Sequence, residues 1–109
     1  VKVFISSGYS GDVDGNVRRQ MDAANVLMNL GYIPFMPLLV HFHDQVHKRE
    51  YSDWLKWCMA WIEDCDCVLR LPGESSGADA EVARAKELGI PVFFSIPDIV
   101  RSNGKVVSD

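Results

Sequence analysis

Apolar positions along this chain fall into short continuous runs, separated by segments with helical spacing. Lys2 to Ser6 (KVFIS) is such a run, the pattern of a buried strand. It opens into Ser7-Gly8-Tyr9-Ser10-Gly11-Asp12, rich in glycine and hydroxyls. Asn16 to Leu30 then predicts a helix with Met21, Ala24, Val26, Leu27 and Leu30 on its apolar face and Arg18, Arg19 and Asp22 solvated. Gly31 stops it. Tyr32 to Met36 predicts a second strand, and Pro34 within it indicates an edge strand or a shorter one. Ser52 to Asp64 (SDWLKWCMAWIED) predicts a helix capped by Ser52 or Asp53. Cys67 to Leu71 is a third strand, Pro72 to Gly77 a loop of small residues, and Ala78 to Leu88 a helix. Gly89 and Pro91 end that helix, and Val92, Phe93 and Phe94 begin the next strand. Further on, Asn103-Gly104 between short apolar runs has the form of a hairpin turn.

The order is β-α-β-(loop)-α-β-α-β. Such alternation predicts an α/β fold: a three-layer Rossmann-like or flavodoxin-like sandwich with a mainly parallel sheet of four to five strands. The loops Ser7 to Asp12 and Pro72 to Gly77 then lie beyond the carboxyl ends of strands, where such folds build ligand sites. Their backbone N–H groups and hydroxyls suit a phosphate or sugar at a helix amino terminus, although tight turns alone also explain them. Neither is a dinucleotide fingerprint or a P-loop, since no Gly-x-Gly-x-x-Gly occurs and no lysine follows the glycines.

At 109 residues, 1–109 reads as one domain. A net charge of −4 argues against nucleic-acid partners and polybasic membrane contact. No apolar run approaches the roughly 20 residues that span a bilayer. With the first strand beginning at residue 2 and no signal peptide visible, a cytoplasmic location is expected. Three cysteines, an odd number, fit a reducing compartment. Cys65-x-Cys67 lacks CxxC spacing, and both residues read as small side chains beside and within a buried strand.

Leu38 to Ser52 (LLVHFHDQVHKREYS) reads as the longest irregular segment and holds His41, His43 and His47. No acidic or cysteine partner has metal-ligand spacing with them. A polar lid or oligomer contact is therefore expected, with no metal and no cofactor. Trp54, Trp57, Cys58 and Trp61 share a helix face, with Leu55, Met59 and Ile62 in an adjacent stripe. That face reads as core, or in part as a subunit interface or a wall for a planar ligand. Glu81 falls in the first turn or so of its helix, with Arg84, Ala85 and Leu88 on the same face. A carboxylate there is favoured by the helix dipole whatever its role. Ser76-x-x-Asp79 has the form of a capping box.

Three stretches together resemble the nucleoside 2-deoxyribosyltransferase superfamily: SSGYSG near the start, Trp61-Ile-Glu-Asp-Cys-Asp66 leading into a strand, and GESSGADAEVARAKELGIPVF. The chain looks like its small bacterial and phage members, and is similar to the deoxynucleotide N-hydrolase branch. The resemblance covers roughly residues 2 to 95 and is most specific in Pro72 to Val92. It implies cleavage or exchange of the N-glycosidic bond of a nucleoside or nucleotide, with Glu81 attacking the anomeric carbon to form a covalent sugar intermediate. It places Ser75 where the nucleotide branch has a phosphate-holding serine. Ser7, Gly8, Tyr9, Ser10, Ser76, Gly77 and Asp79 are the other substrate-binding residues it implies. Sites in the family are often completed by a neighbouring subunit, so a homo-oligomer is expected.

The implied chemistry is coherent. The glycosidic carbon becomes oxocarbenium-like in the transition state, and an ionised carboxylate stabilises and can bond to it. A helix amino terminus is expected to keep that carboxylate ionised. A second acid assists departure of the base. Two positions depart from the family: Cys58 stands where it has an aspartate that works at the leaving group, and Phe4 where its first strand often has a tyrosine. Asp64, Asp53 or a loop histidine are the available substitutes for the acid. Asp66 matches a recurring, structural position. A non-catalytic nucleotide-binding module, or an interaction domain assembled through the tryptophan helix, are the alternative readings.

Overall fold

The computed structural model describes residues 1–102. Four strands form the sheet: β1 (Lys2–Ser6), β2 (Ile33–Phe35), β3 (Cys67–Arg70) and β4 (Val92–Phe93). All pairings are parallel, in the order β2-β1-β3-β4. The helices are α1 (Val13–Asn29), α2 (Val40–Val46), α3 (Tyr51–Ile62), α4 (Ser76–Glu87) and α5 (Ile96–Arg101), with a 3₁₀ turn at Pro37–Leu39.

Successive strand residues face opposite sides of the sheet. Val3 and Ile5 of β1 and Cys67 and Leu69 of β3 therefore share one face, where they pack with Ala24 and Leu27 of α1 and Ile99 of α5. Phe4 and Val68 face the other way, onto Cys58 and Ile62 of α3 and Ala85 of α4. The expected three-layer α/β sandwich is thus the observed fold. Period two also assigns Ser6 and Arg70 to the α3/α4 side. They are register partners at the carboxyl ends of β1 and β3, and both are buried. The two central strands thus end in polar side chains aimed at α4.

Several boundaries differ from the sequence reading. α1 begins at Val13 because Asp12 caps it, accepting from the Gly15 N–H at 3.1 Å. Its buried stripe is Val17, Gln20, Ala24 and Leu27, whereas Met21, Val26 and Leu30 are exposed. A stripe must recur every three or four residues, and those four positions do so along the whole helix. The Leu38 to Ser52 segment is not irregular: it holds the end of the 3₁₀ turn and α2. No residue of α2 is fully buried, so the helix has no apolar stripe to betray it. α3 starts at Tyr51 after Glu50 without a side-chain cap. Asp53 pairs with Arg49 at 3.8 Å rather than capping. The cap of α4 is Ser75, not Ser76; its Oγ accepts from the Ala78 N–H at 3.1 Å. Asp79 sits one position too far along to close a box. β3 ends at Arg70. Ile96–Arg101 is a helix capped by Ser95, not a strand leading to a hairpin, and Asn103-Gly104 lies outside the described residues. β2 is a short edge strand, as Pro34 suggested.

Candidate active site

The loops after β1 and β3 meet over the amino end of α4. At Gly8 a Cβ would stand 3.3 Å from Ser75 Cβ, so a side chain here would press the loops apart. Together with the 3₁₀ turn, the start of α2 and the inner face of α3, these loops enclose a cavity of about 500 Å³. Ser7, Gly8, Tyr9, Ser10, Ser75, Ser76, Gly77 and Glu81 all border it, so the structure brings together eight of the nine residues singled out in the sequence. Asp79 does not join them. Its carboxylate is 75% exposed and faces Arg70 Nη2 at 3.4 Å. Tyr51, Trp54, Leu55 and Cys58 of α3 and Leu38 of the 3₁₀ turn form the apolar side of the cavity.

Glu81 is the buried carboxyl group of this wall. It belongs to the second turn of α4, on a stripe with Ala78 and Ala85; Leu88, expected on the same face, is exposed. Ser6 Oγ donates to Glu81 Oε1 at 2.7 Å. The Cys58 thiol also donates to the Glu81 carboxylate, and the Arg70 guanidinium attracts it. Burial outweighs these three and pushes the Glu81 carboxyl up to about 7. The expectation that a helix terminus keeps this group fully ionised is therefore corrected: at the sixth helical position the dipole has faded, and desolvation disfavours the charge. The same contact, after desolvation, pushes the Cys58 thiol up to about 12.

Ser6 and Arg70 were not singled out in the sequence. The signal was there: each ends an apolar run on the face shared with Phe4 and Val68. Arg70 donates to the carbonyls of Leu71 and, at 2.7 Å, Gly73, bracing the loop before α4. Gly73 has φ +120°, which only glycine holds without strain. Gln20 of α1 is a third such residue. It is buried, donates to the Ile5 carbonyl at 3.1 Å and to Ser7 Oγ at 2.9 Å, and accepts from the Leu38 N–H at 2.8 Å. It ties the end of β1 to the 3₁₀ turn across the back of the site.

Phe4 is fully buried, stacks on Phe35 at 5.6 Å between centroids, and belongs to the core rather than the cavity. Asp53 and Asp64 do not border the cavity either. Asp66 is structural: its Oδ2 accepts from the Lys2 N–H at 2.7 Å and its own N–H donates to the Lys2 carbonyl at 2.8 Å. The histidines separate. His43 lies against His47 and Trp54, while His41 faces Tyr9, its Nδ1 2.5 Å from the phenolic oxygen. No cluster of three or more metal-ligating side chains occurs among the described residues. Among them, too, no helix is long and apolar enough to cross a membrane.

The tryptophan face divides. Trp54 borders the cavity and donates to Asp44 Oδ1 at 2.9 Å. Trp57 and Trp61 stay partly exposed around Phe35. Trp54 and Trp57 also border a more open groove of about 700 Å³ with Leu39, His43 and Ala60.

Residues 1–95 match the family described as a domain of unknown function (DUF7768). No curated protein matches the sequence. Among solved structures, the chain is similar to a 2-deoxyribosyltransferase from the psychrotolerant bacterium Bacillus psychrosaccharolyticus. The TM-score is 0.65 at 20% identity, covering 100% of this chain and 93% of that one. At that identity the likeness shows a shared fold.

Proposed function

The chain belongs to the DUF7768 family, and within it we propose a nucleoside or nucleotide N-glycosidase of the 2-deoxyribosyltransferase type, with Glu81 as nucleophile. The observation that carries this reading is the placement of Glu81. It is a buried carboxyl group on the wall of a cavity of about 500 Å³, held at 2.7 Å by Ser6. A carboxyl that titrates at about 7 is ionised in a large share of molecules at neutral pH, and is more basic than an ordinary glutamate. It suits attack on a carbon that develops oxocarbenium character. The fold shared with a 2-deoxyribosyltransferase supports the same reading.

In this mechanism the sugar lies against Glu81 with its polar groups toward the loops Ser7 to Ser10 and Ser75 to Gly77. The base lies along Tyr51, Trp54 and Leu55. The carboxylate attacks the anomeric carbon as the bond to the base nitrogen breaks, giving a glycosyl ester. Water or a second base then displaces the carboxylate. Copies of the chain associate through Trp57 and Trp61, which sedimentation at several concentrations tests directly.

The experiment is incubation with 2-deoxynucleosides, ribonucleosides and their 5′-monophosphates, with chromatography for free base and thermal shift in parallel. Base release by the natural chain and none by Glu81→Ala is the expected result. A ligand that raises the melting temperature without release of base would make this a nucleotide-binding module instead.

A further inference from the structure

We propose that Tyr9 delivers the proton that the departing base requires, and that His41 positions it for that step. This rests on the N-glycosidase reading above. An N-glycosidic bond breaks with its electron pair moving onto the base, so a proton donor is needed on the side away from Glu81. Cys58 contributes none: its thiol is turned to Glu81 and holds its proton to about pH 12. Asp53 and Asp64 are not on the cavity wall, and Glu74, which borders it, is an exposed residue of the second loop that the test below sets against Tyr9.

Tyr9 is on that wall, and a chain of contacts fixes its phenol. Asn16 Nδ2 donates to the carbonyls of Tyr9 and Ser10, both at 3.1 Å, which pins the loop backbone. Gln45 Nε2 lies 3.1 Å from His41 Nε2, and His41 Nδ1 lies 2.5 Å from the Tyr9 oxygen. With the Gln45 amide donating to Nε2, the ring proton sits on Nδ1 and is donated to the Tyr9 oxygen. The phenolic proton is then free to point into the cavity. Partial burial, with Asp44 nearby, raises the Tyr9 pKa, so the phenol retains that proton at neutral pH.

The step balances. The bond between the anomeric carbon and a Glu81 oxygen forms as the carbon–nitrogen bond breaks, and the electron pair leaves with the base. The Tyr9 proton goes to the base, and the resulting phenolate is stabilised by the His41 Nδ1–H. In the second half, water bonds to the anomeric carbon, the Glu81 ester bond breaks, and the proton lost by water returns to Tyr9. The sum is nucleoside plus water giving sugar plus base.

The test compares a purine 2-deoxynucleoside with its N7-methylated counterpart, whose base departs neutral without a proton. Tyr9→Phe is expected to lose about 10²-fold more in kcat/KM on the parent than on the methylated substrate, in line with the usual contribution of a general acid. His41→Leu should show the same selective loss to a smaller degree. His41→Asn, whose amide N–H falls where Nδ1–H stands, should restore the ratio. Equal losses on both substrates, or a selective loss carried by Glu74→Gln and not by Tyr9→Phe, would overturn the proposal while leaving Glu81 as nucleophile. Release of base from neither substrate by the natural chain would remove the N-glycosidase reading and this proposal together.

Discussion

Ser6 Oγ donates to Glu81 Oε1 at 2.7 Å, linking the last residue of β1 to the second turn of α4. The Ala78 carbonyl, 3.3 Å from the same hydroxyl, is the weaker acceptor. A hydrogen bond to an ionised acceptor is worth about 1.5–3 kcal/mol, and this one favours the charged form of Glu81. Ser6→Ala should therefore raise the Glu81 pKa by about one to two units. Base release at pH 7 should fall roughly five- to fifty-fold, with recovery at higher pH. The pH–rate profile of the variant checks this; an unchanged midpoint would show that Ser6 serves α4 packing alone.

The raised pKa of Glu81 has a stability counterpart. Folded, the carboxyl titrates at about 7; unfolded, near its ordinary value of 4.5. Between those values the folded chain binds a proton that the unfolded chain does not. Stability is thus fully present below pH 4.5, declines as pH rises, and has lost this contribution above about 7. The cost at pH 8 is roughly 3 kcal/mol as an upper bound. Glu81→Gln should therefore be more stable than the natural chain at pH 8 and close to it at pH 5, while releasing no base. Urea titrations of both proteins at the two pH values decide it.

How much of this was readable in the sequence follows from where the apolar pattern is strong. β1 and β3 are buried on both faces, so their runs stood out, and the order of strands and helices led to the correct fold. The two loops were legible because small residues followed those runs. α2 was not, since it buries no residue fully and leaves no stripe. Ser6, Arg70 and Gln20 were missed because each is polar and buried, and single-sequence periodicity treats a polar residue as solvated; Ser6 and Gln20 find their partners far along the chain, Arg70 in the loop that follows it. The tryptophan helix gave a mixed answer because Trp54 faces the cavity while Trp57 and Trp61 remain partly exposed.

The three cysteines are free and buried. Desolvation comes first among the causes that push Cys58 and Cys67 to about 12 and Cys65 to about 11. The thiolate is the nucleophile toward alkylating reagents. At pH 8 the folded chain should therefore take up almost no iodoacetamide, and the urea-unfolded chain should take up three equivalents. Intact-mass measurement reads both. Fast labelling of Cys58 in the folded chain would show that Glu81 does not hold its thiol proton.

Gln20 carries the last prediction. Its side chain is buried and joins three elements: the Ile5 carbonyl of β1, Ser7 Oγ in the first loop, and the Leu38 N–H of the 3₁₀ turn. Truncation to alanine removes all three bonds, strips the buried Leu38 N–H of this acceptor, and opens space behind the site. One orphaned buried donor costs about 1–3 kcal/mol, and the lost side-chain volume adds to it. Gln20→Ala should therefore destabilise the fold by about 2–4 kcal/mol. Gln20→Glu would keep the shape and the acceptor for Leu38, but place an acid against the Ile5 carbonyl. It should recover part of the stability at low pH, where the protonated carboxyl can donate, and lose it as pH rises. Denaturant midpoints across pH 5 to 8 measure this. A Gln20→Glu variant insensitive to pH would mean that the amide's donor side contributes little, and that the Leu38 bond alone anchors the 3₁₀ turn.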